Sequence, residues 1–138
     1  MPKSTLPNHP PVEEARRYLS NAQDLLKEKA QKQDGFYHDR NYVKMAGHTA
    51  YVGILHALDA LLERKSKKRV DVDWYKKHLA QLDYRLLDNF NAAYDTLHLA
   101  LGYDGNPDAE VAKAGLKRAE YIIDWVANRL GHTPAIAA

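Results

Sequence analysis

From Tyr75 to Ala100 the sequence places Tyr75, Leu79, Leu82, Leu86, Asn89, Ala93, Leu97 and Ala100 at intervals of three and four residues. A helix turns once per 3.6 residues, so this spacing lines one side of a helix. A strand would alternate with period two instead, and no stretch of the chain does so. The spacing predicts one long helix of about 28 residues, capped by Asp71 or Asp73 and stopped by Gly102. Such a rod is stable in water only if its apolar side is covered by other helices.

Three further segments supply that cover. Ala15, Tyr18, Leu19, Ala22, Leu25, Leu26 and Ala30 form the stripe of a helix over 11–32, opened by Pro11 and ended by Asp34-Gly35. A second helix, over 40–65, has the inward stripe Tyr42, Met45, Thr49, Val52, Gly53, His56 and Ala60. Its small residues Ala46, Ala50, Gly53 and Ala57 allow a neighbour to come close. The last helix starts at Asn106-Pro107, a capping amide before a proline, and buries Ala112, Leu116, Ala119, Ile123, Val126 and Leu130 before Gly131. With no strand expected, the fold class is all-α: an up-and-down antiparallel four-helix bundle in one domain over 11–131. Residues 1–10, with three of the six prolines, and residues 132–138 read as tails.

Composition narrows the function classes. Cysteine is absent, which removes disulfide and thiolate chemistry. No apolar run approaches the roughly 18 residues that cross a bilayer, and the first residues lack a signal-peptide core, so a cytoplasmic location without membrane contact is the expectation. The net charge of +2 is too small to argue for nucleic acid by itself. The positive charge is concentrated, however, in Arg64, Lys65, Lys67, Lys68 and Arg69, followed by Lys76 and Lys77. That run is a basic patch able to meet phosphate, or simply a solvated loop between helices.

Candidate chemistry rests on histidine and tyrosine. His48 and His56 are eight residues apart, about 80° around a helix, which is wrong for joint ligation of a metal. His56 falls on the inward stripe and reads as a core imidazole. His-x-x-Asp at 56–59 and Asp-x-x-His at 95–98 would suit a metal-binding bundle only if at least three of His48, His56, Asp59, Asp95 and His98 converged. No metal ligand is therefore assigned. Nine tyrosines are present, and Tyr18, Tyr42, Tyr75 and Tyr94 sit on or beside inward stripes. Their hydroxyls can line a polar crevice, or stay at the rim of the core. No serine stands in a nucleophile context and no glycine-rich phosphate loop is present, so neither a catalytic residue nor a cofactor is expected.

The phrases ARRYLSNAQDLL, AYVGILHALDALL and AKAGLKRAEYIIDWV together resemble the HEPN superfamily (higher eukaryotes and prokaryotes nucleotide-binding) over roughly 12–130. The resemblance implies an up-and-down four-helix bundle, a homodimer, and a nucleotide, RNA or nucleotidyltransferase partner. Nucleolytic members of that superfamily carry an arginine a few residues ahead of a histidine. No arginine of this chain stands at that distance; Arg40 and His48 have seven residues between them. The segment YDTLHLALGYDGN keeps a histidine and an aromatic-glycine turn but no arginine.

The reading is thus a non-catalytic HEPN-like binding or accessory protein for a nucleotide, RNA or protein partner, with His48, Tyr94 and His98 as ligand-binding residues. A rival reading is a diverged ribonuclease or other small hydrolase using His48 or His98 with Arg85, Lys44 or Tyr94. A metal-binding bundle is the third.

Overall fold

The structure, a computed structural model, describes residues 10–64, 68 and 70–131. The expected tails, apart from Pro10 and Gly131, lie outside these residues. Helix α1 (Pro10–Glu28) buries Val12, Ala15, Leu19, Ala22 and Leu26. It stops short of residue 32 because the chain turns over in a β-hairpin. Asp34 (φ 54°) and Gly35 (φ 85°) both take positive φ, the geometry of a two-residue hairpin loop. Asp34-Gly35 is therefore a hairpin tip and not a helix stop.

Strands β1 (Lys32–Gln33) and β2 (Phe36–Tyr37) pair antiparallel, Lys32 opposite Tyr37. The expectation of no strand is corrected. Each strand has two residues, too few for alternation to register. The hairpin docks on the turn before the last helix: the Tyr37 amide donates to the Pro107 carbonyl at 2.8 Å, and the Ala109 amide to the Gly35 carbonyl at 2.9 Å.

Helix α2 (Arg40–Leu61) is capped by Asp39, whose carboxylate accepts from the Asn41 amide. It ends at Leu61, short of residue 65, where Glu63 turns to positive φ. It packs against α1, the last helix and the segment following α4. Val43, Ala46, Gly47, Ala50, Tyr51, Gly53, Ile54, Ala57 and Leu58 are buried. The expected inward stripe is misplaced: only Gly53 of it is buried, and Met45 is 50% exposed. A helix with neighbours on several sides buries a wide arc. Small residues fill most of that arc, so the larger residues beside it do not mark the inner face.

The single 28-residue third helix is corrected to two helices. Helix α3 (Val72–Leu82) is capped by Asp71, which accepts from the Trp74 amide. Asp83 then takes extended geometry (φ −163°, ψ 125°), and its carboxylate accepts from the Leu86 amide at 2.9 Å to start α4 (Tyr84–Ala93). The Tyr75 ring lies 6.1 Å from that of Phe90, and the Lys76 ammonium 5.2 Å above that of Tyr94, so α3 doubles back along α4. The apolar stripe stays in phase across Asp83 because Leu79 and Leu86 both enter the core. Neither glycine nor proline marks the break.

Helix α4 runs without interruption into a π-helical segment (Tyr94–Tyr103). Helix α5 (Ala109–Arg129) is capped by Asp108, which accepts from the Glu110 amide. Asn106 is not its cap. The Asn106 side chain accepts from the Asp108 amide at 2.9 Å in the turn ahead of it. Ile54, Leu58, Leu79, Leu86, Phe90, Leu97, Leu101, Ile122 and Ile123 are fully buried in one core. Each such side chain contributes about 1.5–3 kcal/mol by leaving water. The fold is all-α apart from the hairpin. No helix among the described residues is long and apolar enough to cross a membrane.

Candidate functional site

Two glycines bring α2 and the π segment together. A Cβ on Gly47 would lie 2.6 Å from Leu101 Cβ, 2.6 Å from the Leu97 carbonyl oxygen and 2.7 Å from the Gly102 nitrogen. A Cβ on Gly102 would meet the Leu97 oxygen at 2.9 Å and the His48 nitrogen at 3.5 Å. Contact at this range is backbone against backbone. It sets His48, next to Gly47, beside the turn of the π segment that carries His98.

π-Helical geometry is rare and recurs at functional sites. The far end of this segment is held by Arg40, whose Nε donates to the Gly105 carbonyl at 2.8 Å and Nη2 to the Asp104 carbonyl at 3.0 Å. A guanidinium there satisfies carbonyls left over at a helix C-terminus and suits its negative pole. Arg40 is thus a structural clamp.

The site itself is a packed group of rings. His98 lies 4.8 Å from Tyr51 and 5.0 Å from Tyr94, and Tyr51 meets Tyr94 edge-on at 5.8 Å. Lys76, from α3, places its ammonium over the Tyr94 ring. Tyr51 is buried, Tyr94, His98 and Lys76 are half-buried, and His48 is exposed. Burial first, and then the nearby His48, lower the His98 pKa below its ordinary 6.5, so this imidazole is neutral at pH 7. Burial, with Tyr94 adding, raises the pKa of the Tyr51 hydroxyl, which stays protonated. The group offers phenol and imidazole hydrogen bonds, one ammonium and one exposed imidazole. Those groups suit an anion or a polar aromatic ligand better than a cation.

Of the residues expected from sequence, His48, Tyr94 and His98 are brought together. Tyr51 and Lys76 complete the group; Tyr51 was missed, and Lys76 was noted only as a base following the 64–69 run. Tyr51 has a sequence signal, since it follows His48 by three residues on one helix. Nothing in the sequence ties Lys76 to this group, because its place depends on α3 folding back.

The other candidates go elsewhere. Tyr75 is buried as expected, and its hydroxyl donates to Asp59 at 2.6 Å. Burial and that bond raise the Tyr75 pKa. His56 is half-buried and stacks on Tyr18, with ring centres 5.0 Å apart. Arg64, expected in the basic patch, is turned towards neighbouring groups. Its Nη1 contacts Asp59 at 3.4 Å, its Nη2 donates to the Lys68 carbonyl, and its guanidinium sits 5.9 Å from the Trp74 ring centre. Lys68 is exposed, and Lys65, Lys67 and Arg69 lie outside the described residues. Arg85, in the first turn of α4, is several turns from His98. Among the described residues no three His, Asp or Glu side chains form a group able to hold a metal ion.

Fold and site define a class: a small all-α protein whose central helix is pressed by glycine contact against a π segment carrying an aromatic–imidazole group. The chain belongs to the family described as "Domain of unknown function (DUF5618)", which it matches over residues 10–128. It is similar to a solved structure described as a protein of unknown function from Dyadobacter fermentans, at 56% identity and a TM-score of 0.81. That match covers 87% of this chain and 95% of the other. No curated protein matches.

Proposed function

We propose that the protein is a non-catalytic, HEPN-like binding or accessory module that takes a nucleotide or the end of an RNA at the His48–Tyr94–His98 group. In this reading α1, α2, α4 with its π segment, and α5 are the rods of an up-and-down four-helix bundle, and α3 is an extra helix laid over it. One observation carries the proposal. Tyr51 of α2 and the half-buried Tyr94 and His98 of the π segment, far apart in sequence, pack together with half-buried Lys76 of α3. A homodimer, or a protein partner such as a nucleotidyltransferase, fits the same reading.

Amide NMR titration with ATP, and then with a short single-stranded RNA, tests it. Saturable shifts centred on His48, Tyr51, Tyr94 and His98 are expected. Shifts scattered over the surface, or none at millimolar ligand, would remove the nucleotide reading. Sedimentation equilibrium reads the dimer separately.

A hydrolytic reading has one observation of its own. A neutral imidazole beside a second imidazole can pass a proton. RNA cleavage that disappears in His98→Asn would establish it.

A further inference from the structure

We infer that the ligand is anchored through a phosphoryl group on the Lys76 ammonium, and not by stacking of its base. This rests on the binding-module reading above and names the part of the ligand that the group holds. A base held by stacking needs an open aromatic face. The rings here are already engaged with one another: His98 packs on Tyr51 at 4.8 Å and on Tyr94 at 5.0 Å, and Tyr51 closes on Tyr94 at 5.8 Å. Lys76 covers Tyr94 as well, its ammonium 5.2 Å from the ring centre. A base stacking on the face of Tyr94 that Lys76 covers would have to displace that charge.

The ammonium itself is under-used. It lies over the Tyr94 ring and makes no ion pair among the described residues. An ammonium has three N–H donors, and a ring face satisfies none of them as a phosphoryl oxygen would. A charge-assisted hydrogen bond to phosphate is stronger than a part-exposed cation–π contact, so a phosphoryl oxygen wins the ammonium from the ring. His48 is exposed beside His98 and can add a second donor.

Neither Asp59, engaged by Tyr75 and Arg64, nor the exposed Asp73 and Asp95 forms an ion pair with Lys76. Ring packing thus sets the place, and Lys76 supplies the charge.

The test follows histidine side-chain NMR signals of the full chain during titration with inorganic pyrophosphate, ADP and adenosine. The wild type is compared with Lys76→Met, which keeps the apolar stem over Tyr94, and with Lys76→Arg, which keeps the charge. Pyrophosphate and ADP should shift the His48 and His98 signals saturably, and adenosine should not. Lys76→Met should weaken ADP binding about tenfold, the loss of one charged contact, and Lys76→Arg should restore most of it. Adenosine binding as tightly as ADP would overturn the phosphoryl anchor and leave the nucleotide reading standing. So would ADP affinity in Lys76→Met within about twofold of the wild type. Silence with all three probes would sink the nucleotide reading together with this one.

Discussion

Replacing Gly47 with alanine tests the contact on which the site depends. The new Cβ would stand 2.6–2.7 Å from Leu101 Cβ, the Leu97 carbonyl oxygen and the Gly102 nitrogen. Ordinary contact begins about 1 Å further out. Two of the three atoms are backbone, so no rotamer change gives relief, and α2 must part from the π segment. Overpacking costs typically about 1–3 kcal/mol, and backbone contact puts this case at the top of that range. Alanine returns about 1 kcal/mol of helix propensity. The net expectation is about 2 kcal/mol of destabilisation, roughly a 6 °C fall in Tm for a domain of this size.

Urea unfolding with an unchanged slope measures it directly. The His48 and His98 NMR signals should move at the same time, because the same separation pulls those rings apart. Gly35→Ala is the control. Nothing lies within 4 Å of a Cβ there, so it carries only the left-handed strain of φ 85°, about 1 kcal/mol, with both histidine signals unmoved. A Gly47→Ala protein as stable as the wild type, or more so, would refute the close approach.

The His98 imidazole should titrate below 6.5, and His48→Gln should move it part of the way back, since burial is the larger cause. The sign for stability follows: the unfolded chain binds this proton first, so the contribution is present above the unfolded pKa and is lost as pH falls from about 6.5 towards the folded value. Urea midpoints of the wild type and His98→Asn between pH 7.5 and 5 should therefore converge on the acid side, and parallel curves would refute it. Tyr75→Phe removes a hydroxyl that donates to Asp59 at 2.6 Å, and should cost about 1–2 kcal/mol in the same assay. Asp83→Ala removes the cap of α4 and should cost about 1 kcal/mol, while Asp83→Asn keeps most of it. Arg40→Met should speed amide exchange at Asp104 and Gly105, where two guanidinium bonds are lost.

Much of the candidate site was legible in advance. His98 follows Tyr94 by four residues and shares its face in any helix, so their meeting needed no tertiary information. His48 joins them only because Gly47 and Gly102 let two backbones touch, a contact that leaves no trace in hydrophobic spacing. Arg64 depends on its tertiary surroundings in another way. It sits in a run of bases, but an aspartate one turn back and a tryptophan from α3 draw it inward.

Helical character, a cap at the start of α3, and the apolar faces of α1 and α5 were determined by the sequence alone. They depend on side chains within a few residues of one another. The reversal at Asp83, the burial of Tyr51 and the placing of Lys76 over Tyr94 were decided by the tertiary structure. An in-phase apolar stripe suits one long helix or two folded ones equally well. Only the competition to cover a single core chooses between them.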